Sequence, residues 1–181
     1  MTSGRVELSV GFPPIADTAA RVLVLGSLPG RKSLEMREYY AQPYNAFWRI
    51  MGELAGAGPD LAYPERLVRL RACGIAVWDV LQAGEREGSL DSAIVPASIV
   101  VNDFNAFFER HRNVRTICFN GNTAAMLFKR KVLPGLGAQW AAIERRSLPS
   151  TSPAHASLRF EQKLERWAAA LEPVVRAEPA S

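Results

Sequence analysis

One short apolar run constrains the fold of this 181-residue chain more than any other feature. Residues 21–26 read RVLVLG, and the run stops at the turn sequence SLPG. A continuous apolar run of this length is typical of a strand that is buried on both faces, and such strands belong to parallel sheets covered by helices. The chain is therefore expected to fold around a buried parallel sheet.

Further strand and helix patterns alternate along the chain. Strands are predicted at residues 74–78, 114–119 and 142–148, and helices at residues 44–58, 64–71, 124–130 and 161–175. This alternation predicts the α/β class, here a three-layer α/β/α sandwich with a central, mostly parallel four-stranded sheet. The length suits a single domain, predicted at residues 1–176, with a frayed tail at residues 177–181.

Three loops that follow predicted strands carry the polar and glycine-rich sequences. They are SLPG at residues 27–30, NGNT at residues 120–123 and LPSTSPA at residues 148–154. Because ligands in parallel α/β sheets bind outside the carboxyl ends of the strands, these loops are expected to meet at one site. A glycine-proline turn such as SLPG, taken by itself, is more often only a turn.

The composition limits the classes of function. The chain has 22 Lys and Arg against 18 Asp and Glu, a net charge of +4, which favours a polyanionic partner such as nucleic acid. Its two cysteines and two histidines lack the spacing of metal ligands, so we expect no metal and no other cofactor. No apolar stretch is long enough to span a membrane, so we expect a cytoplasmic protein without membrane contact, and a monomer.

A dense aromatic segment follows the first of these loops. Residues 39–48 read YYAQPYNAFW. Aromatic rings at this density suit a slot for a flat heterocycle, because stacking on a nucleobase is worth about 1–3 kcal/mol. A functional role is favoured for Asn45 and Phe47, whereas Trp48 is better explained as an anchor of the following helix.

Four ordered motifs resemble those of one known family. They are GSLPG with YYAQPYNAFW, CGIAVWDVL with REGSLDS, ICFNGN, and LPSTSPA, and they extend from Val22 to the last predicted helix. This pattern is similar to that of the uracil-DNA glycosylase superfamily, above all to its hypoxanthine-DNA glycosylase branch. The resemblance implies a monofunctional DNA glycosylase. Such an enzyme flips a deaminated base (hypoxanthine before uracil or xanthine) out of DNA, hydrolyses its N-glycosidic bond and leaves an abasic site.

One position departs from the wider superfamily. Other branches have an Asp or Asn that positions or activates water before the proline of the first motif, and here Leu28 occupies that place. The resemblance therefore transfers the catalytic role to Asn45, whose neutral amide can hold a water below the anomeric carbon without a tuned pKa. A cap for the following helix is the open alternative for Asn45, and the two roles are compatible.

The resemblance also assigns the remaining contacts. Phe47 is expected to stack on the base, and Asn120 is expected either to read the base edge or only to form a turn with Gly121. The predicted base pocket consists of Gly26, Ser27, Leu28, Pro29, Tyr40, Phe47 and Asn120. DNA contacts are predicted for Gly30, Lys32, Ser33, Ser150, Thr151, Ser152, Pro153 and His155.

Other interpretations stay open at this point. Asp79 is interpreted as a turn or helix cap rather than a general base, and His155 as a phosphate or solvent contact rather than a catalytic group. No lysine lies in the pocket motifs, so Schiff-base lyase chemistry is not expected. Two rival functions are a hydrolase of free nucleotides or nucleosides, with SLPG as a phosphate cradle, and a non-catalytic module that recognises lesions.

Overall fold

The computed structural model describes residues 6–175. These residues form seven strands: β1 (Glu7–Val10), β2 (Val22–Gly26), β3 (Ile75–Asp79), β4 (Leu81–Arg86), β5 (Val100–Val101), β6 (Thr116–Asn120) and β7 (Glu144–Leu148). They also form six α-helices: α1 (Arg31–Met36), α2 (Phe47–Ala55), α3 (Tyr63–Ala72), α4 (Phe104–Arg110), α5 (Asn122–Leu127) and α6 (Phe160–Val175). The predicted frayed tail lies outside the described residues.

The main sheet contains four strands in the order β3-β2-β6-β7, and every pair is parallel. All residues of the central strand β2 are buried, as the uninterrupted apolar run predicts. The register sets Gly26 beside Asp79 and Asn120 beside Leu148, so these four strands end along one edge of the sheet. The prediction of an α/β fold with a four-stranded parallel sheet is confirmed.

Helices cover both faces of this sheet and give three layers. In one helical layer, the ring of Phe47 on α2 meets Trp167 on α6, and Trp48 meets Tyr63 on α3. In the other, Trp78 of β3 packs against Phe104 and Phe107 of α4, while Phe119 of β6 packs against Phe128, directly after α5. On the first side the aromatic residues join helix to helix, and on the second side they join the helices to the sheet.

The sequence patterns missed a second, smaller sheet. Strands β1, β4 and β5 pair antiparallel in the order β1-β4-β5, and β4 leaves the carboxyl end of β3 after a single residue. The short helices α1 and α4 were also missed, so Lys32 and Ser33 lie on a helix rather than in a loop. Within residues 6–175, no helix has the length and apolar character needed to cross a membrane.

Candidate active site

The three loops predicted from the sequence meet at the carboxyl edge of the main sheet. The first loop (residues 26–30), the turn after β6 (residues 120–123) and the second loop (residues 148–158) all contribute to the lining of one open cleft. The cleft has a volume of about 1160 Å³, and Tyr40, Asn45 and Asp79 also line it. A cleft of this size at this edge has room for a nucleoside.

Asn45 lies in the cleft directly before α2, and its side chain is partly used. Its Oδ1 atom accepts a hydrogen bond from the backbone N–H of Phe47 at 2.9 Å, so Asn45 helps to start the helix. The next residue, Ala46, donates its N–H to the carbonyl of Thr151 in the second loop at 3.0 Å. Within residues 6–175 the Asn45 amide nitrogen has no hydrogen-bond partner, so its N–H groups and one Oδ1 lone pair stay available.

Phe47 does not take the predicted stacking position. Its side chain is fully buried and is absent from the cleft lining. The ring of Tyr40 covers it, with the centroids 4.1 Å apart and an interplanar angle of 26°. The structure therefore corrects the expectation that a base stacks on Phe47: Tyr40 presents the aromatic ring to the cleft, and Phe47 supports it from within the core.

Tyr40 holds a conformation that costs energy. Its φ angle of 54° lies in the left-handed region, which is uncommon for a residue other than glycine. Its hydroxyl is buried and makes no well-formed hydrogen bond. Burial raises the pKa of Tyr40, the charge of Asp79 adds to the rise, and the neighbouring Asn120 side chain opposes it. The phenol therefore stays neutral, and its hydroxyl can donate a hydrogen bond to a molecule in the cleft.

Asp79 is the buried carboxyl group at the floor of the cleft. The residue is 4% exposed and its Oδ2 atom has no hydrogen-bond partner. Burial raises its pKa to about 7, with nearby Asp91 adding to the rise and Arg86 opposing it. The Oδ2 atom accepts no hydrogen bond from a backbone N–H, so this oxygen does not cap a turn or helix as the sequence predicts.

Gly26 leaves room for the polar side-chain atoms of Asp79 and Tyr40, which both lie next to its Cα. A Cβ atom on residue 26 would lie 2.6 Å from Asp79 Oδ1 and 2.9 Å from Tyr40 Oη, and both distances are too short for a real side chain. The glycine that ends β2 is therefore required by two polar groups that share the floor of the cleft.

An ion pair between buried Arg86 and partly exposed Asp91 supports the first loop. The hydroxyl of Ser27 donates to Asp91 Oδ1 at 2.6 Å, and the guanidinium of Arg86 donates to the carbonyl of Pro29. Arg86 is 3% exposed and lies 3.8 Å from Asp91 Oδ1. Burial lowers the pKa of Arg86 and raises the pKa of Asp91. Both residues lie in the REGSLDS motif, but no role at the site was predicted for either of them.

Asn120 and Thr151 join the turn after β6 to the second loop. The Asn120 amide donates to Thr151 Oγ1 at 2.9 Å, and the Thr151 backbone N–H donates to Asn120 Oδ1 at 2.9 Å. These two hydrogen bonds hold the two segments together. Thr151 is 1% exposed and is therefore not available to a phosphate, contrary to prediction. Asn120 keeps one N–H and one lone pair free and still lines the cleft.

The other residues of the second loop that were predicted to contact DNA are accessible from the cleft. Ser150 and Ser152 are partly exposed and Pro153 is exposed, and all three line the cleft together with His155. Buried Lys163 on α6 supports this loop: its ammonium donates to the carbonyl of His155 at 2.8 Å. Burial lowers the pKa of Lys163. No sequence motif indicates this lysine, because it lies in an amphipathic helix far from the motifs.

The predicted DNA contacts after the first loop separate into two kinds. Gly30 and Lys32 lie at the rim, where Lys32 is about half exposed and pairs with Glu35 at 3.8 Å. Ser33 is 6% exposed, and its hydroxyl accepts the backbone N–H of Ala41 at 3.1 Å. Ser33 therefore holds the tyrosine segment in place, which corrects its prediction as a surface contact with phosphate.

The sequence also matches a model of a known family. Residues 13–172 match the model of the Uracil DNA glycosylase superfamily, which covers nearly the whole chain. The chain belongs to this superfamily. It is thus a DNA glycosylase by family, with DNA as its substrate, as the four motifs predict.

Relatives of this glycosylase agree in sequence and in fold. A protein of Methanosarcina acetivorans named hypoxanthine DNA glycosylase is 40% identical over 161 residues, which cover 88% of this chain and 95% of the relative. A protein of Methanosarcina barkeri with the same name is 37% identical over 149 residues, covering 77% and 90%. The solution NMR structure of a Methanosarcina acetivorans protein described as a candidate uracil DNA glycosylase has a TM-score of 0.77 and 35% identity, covering 93% of this chain and 99% of that one.

Leu28 occupies the position at which the resemblance to other branches of the superfamily would place a water-positioning Asp or Asn. The side chain is 6% exposed and lines the cleft within the first loop. An aliphatic side chain can neither bind nor activate water, so a water in this cleft must be held by another residue. Asn45 and Asn120 both line the cleft with side-chain amides that are only partly used, and Asn120 is already bonded twice to Thr151.

Proposed function

We propose that this glycosylase hydrolyses the N-glycosidic bond of hypoxanthine that has been flipped out of DNA, leaving an abasic site. The observation that carries the proposal is the floor of the cleft, where Asp79 Oδ2 and Tyr40 Oη are both buried without a partner. Unpaired buried polar groups are costly, and their cost is recovered when a ligand with matching hydrogen-bonding groups enters. The names of the two Methanosarcina relatives support hypoxanthine as that ligand.

The edge of hypoxanthine matches this floor. The base carries an N1–H donor beside a C6 carbonyl acceptor, and a neutral carboxyl group offers an acceptor oxygen beside an O–H donor. Asp79 with a pKa of about 7 holds its proton much of the time at neutral pH, and it can therefore make both hydrogen bonds at once. The neutral hydroxyl of Tyr40 is a second donor in reach of the same floor.

Breaking the bond moves charge toward that floor. As the bond between the sugar C1′ and the base nitrogen breaks, its electron pair goes to the base, which becomes an anion, while positive charge develops on the sugar. A neutral Asp79 stabilises the anionic base by hydrogen-bond donation, whereas an ionised Asp79 repels it. The proton-bearing form of Asp79 is therefore the active one in this mechanism.

Asn45 positions the water that acts as the nucleophile. Its Oδ1 is already oriented by the N–H of Phe47, so the amide is fixed in place at the start of α2 before substrate binds. A water held by its free lone pair and free N–H groups can attack C1′, forming the new C–O bond and losing a proton to solvent. The gain comes from position and orientation rather than from a strong base.

The cleft supports a monofunctional glycosylase. Among the described residues that line it, Lys32 is the lysine, and it lies at the rim, paired with Glu35 at 3.8 Å. Lys163 lies behind the second loop and is bound to the carbonyl of His155. Neither position suits a Schiff base with C1′, so the proposed reaction ends at the abasic site.

A set of duplex oligonucleotides tests the proposal. Each duplex carries one deoxyinosine, deoxyuridine or deoxyxanthosine, and single-turnover reactions are followed by alkali, which cuts the strand at an abasic site. The proposal expects the fastest cleavage for deoxyinosine and no strand cleavage before alkali. Tight binding without alkali-sensitive sites would instead support a lesion-binding module. Hydrolysis of free deoxyinosine monophosphate, with no action on any duplex, would support the nucleotide hydrolase.

A further inference from the structure

A neutral carboxyl group cannot by itself distinguish hypoxanthine from adenine, the undamaged base whose deamination gives hypoxanthine. Hypoxanthine presents an N1–H donor beside a C6 carbonyl, whereas adenine presents an N1 acceptor beside a C6 amino group. Because Asp79 can carry its proton on either oxygen, its donor and its acceptor can exchange places and match either base. Selection between the two bases therefore requires a second group at the floor of the cleft, a donor whose direction is fixed.

Three neighbouring strands place Asp79, Gly26 and Asn120 in a row at this floor. Gly26 pairs with Asp79 in the register of β2 and β3, and the register of β2 and β6 brings Asn120 to the level of Gly26 on the other side. Residues at matching positions of neighbouring strands are about 4.8 Å apart and face the same side of the sheet. Tyr40 Oη lies 2.9 Å from the position of a Cβ on Gly26, so it lies over the central strand, beside both polar side chains.

Thr151 determines which way round the Asn120 amide lies. A backbone N–H can only donate, so the atom of Asn120 that lies 2.9 Å from the Thr151 nitrogen is the carbonyl oxygen Oδ1. The amide nitrogen then donates to Thr151 Oγ1 at 2.9 Å. A half-turn of the amide would set its NH₂ group against the backbone N–H of Thr151, and two buried donors facing each other are costly. The orientation of the amide is therefore fixed before any ligand binds.

The fixed amide presents an N–H to the oxygen of Tyr40. Hydrogen bonding by the Asn120 side chain opposes the rise in the pKa of Tyr40. A hydrogen bond lowers the pKa of a phenol when it stabilises the phenolate, and only a donor does so. The group that approaches Tyr40 Oη is thus the second N–H of Asn120. Since the phenol oxygen faces this donor, its own hydrogen points away from Asn120, and among the described residues it has no acceptor.

We propose that the hydroxyl of Tyr40 is the donor that selects hypoxanthine over adenine, and that Thr151 fixes the direction of this hydroxyl through Asn120. The inference deepens the proposed function and rests on it, because it requires the base to lie at the cleft floor. The C6 carbonyl of hypoxanthine has two lone pairs and can accept from both Tyr40 and Asp79. The C6 amino group of adenine would instead set its hydrogens against the hydrogen of Tyr40. Asn120 and Thr151 are positioning residues, because they act on the base through Tyr40.

The affinity for uncleaved nucleotides measures this selection. Three duplexes carry the 2′-fluoroarabino analogue of deoxyinosine, of deoxyadenosine or of purine deoxyriboside, and the fluorine slows cleavage. They differ only at the base, and the last has no substituent at C6. Each analogue lies opposite an abasic analogue, so that no base pair is lost on eversion. The ratio of the Kd values for adenine and hypoxanthine gives the preference, and excision of ordinary deoxyinosine is measured beside it.

Three variants separate the contributions. Tyr40→Phe removes the donor and keeps the ring. Asn120→Asp keeps the acceptor for the Thr151 N–H, but its second oxygen either accepts from Tyr40 or shares a proton with the first, so the direction of the hydroxyl is no longer fixed. Thr151→Val is the matched control, because its backbone N–H still holds Asn120 Oδ1 and only the bond to Oγ1 is lost. Thermal unfolding checks the fold of each variant.

We expect the wild type to prefer hypoxanthine to adenine by about a hundredfold, the effect of leaving buried donors unpaired, with the unsubstituted purine between them. Tyr40→Phe and Asn120→Asp should each reduce this preference by about tenfold or more. Thr151→Val should keep the preference, while its affinity for all three duplexes falls by a similar factor.

Two results would overturn the inference while leaving the proposed function intact. A wild-type preference in Tyr40→Phe together with a lost preference in Asn120→Asp would mean that Asn120 reads the base directly. A loss in Thr151→Val equal to that in Asn120→Asp would mean that the contacts only support the fold of the cleft. If the wild type excises no hypoxanthine from deoxyinosine duplexes, the proposed function itself fails.

Discussion

The ring of Tyr40 lies on the ring of Phe47, with the centroids 4.1 Å apart. The sequence predicts base stacking for Phe47, whereas in the structure Tyr40 lines the cleft and Phe47 belongs to the core. Phe47 is fully buried and joins α2 to α6 through its contact with Trp167, while Tyr40 lines the cleft with an unpaired hydroxyl. Stability and base binding are therefore expected to respond to different substitutions.

Alanine variants of the two rings should separate these tasks. Phe47→Ala should lower the free energy of unfolding by about 3–5 kcal/mol, as expected for a fully buried phenylalanine. Tyr40→Ala should lower it much less but reduce excision strongly, because the base loses its aromatic contact and a donor. Thermal unfolding and single-turnover excision measure the two effects. A Tyr40→Ala variant with wild-type excision would refute its role in the pocket.

The excision rate should depend on the protonation of Asp79. Since the neutral carboxyl group is the active form, the rate on deoxyinosine should fall as the pH rises through about 7, the pKa that burial gives to Asp79. Asp79→Asn should flatten this dependence, because its amide donates at every pH, and Asp79→Ala should lose about a hundredfold in rate. A wild-type rate that increases through the same pH range would mean that the ionised form is active.

The same carboxyl group should lower the stability of the fold at high pH. Its pKa is raised from 3.8 to about 7 on folding, so the folded chain binds more protons than the unfolded chain between these values. Stability therefore decreases as the pH rises from about 4 to about 7 and the full penalty persists above 7. The Tm of Asp79→Asn relative to wild type should thus increase from pH 4 to pH 8. A difference that is constant with pH would contradict the assigned shift.

Asn45→Ala should separate catalysis from binding. Loss of the amide should reduce excision by about a hundredfold or more, because the attacking water is no longer positioned. Duplex affinity should stay close to that of wild type, since the loop contacts with phosphate are preserved. Asn45→Asp is the matched variant: it keeps the acceptor for the Phe47 N–H, so α2 should begin normally and Tm should change little. Wild-type turnover in Asn45→Ala would exclude the water-positioning role.

Lys163→Met should affect DNA binding more than chemistry. The substitution removes the ammonium that binds the carbonyl of His155 at 2.8 Å, and it keeps a similar apolar chain. Because the second loop is then held less firmly, we expect KM for a deoxyinosine duplex to rise by about tenfold. This factor corresponds to the loss of one charge-assisted hydrogen bond. The value of kcat should change little. If kcat falls and KM does not change, Lys163 instead influences the reacting groups.

The predictable parts of the fold are those that leave a pattern in a short stretch of sequence. The run at residues 21–26 identifies β2 because burial on both faces requires an uninterrupted apolar strand. The three loops could be placed at one edge of the sheet because each follows a predicted parallel strand. The amide of Asn45 could be named in advance because it lies between the aromatic residues of a recognisable motif. Strand β5 has only two residues, too short for any periodic pattern.

The unpredicted parts depend on contacts between distant segments. Nothing near Asp79 in the sequence shows that its carboxyl group is buried without a partner, because that depends on Gly26 and Tyr40 from another part of the chain. The pair of hydrogen bonds between Asn120 and Thr151 spans 31 residues, and the support of the second loop by Lys163 comes from a helix with no motif. Local patterns give residue types and elements, whereas burial and pairing follow from tertiary packing.

The release of free base from DNA tests the central claim most directly. Wild-type protein is incubated with a duplex that contains one deoxyinosine, and free hypoxanthine and abasic sites are counted in the same sample by mass spectrometry and alkaline cleavage. The account predicts equal amounts of both products, with the strand intact until alkali is added. Duplex recovered with its deoxyinosine intact, or strand cleavage without free hypoxanthine, would contradict it.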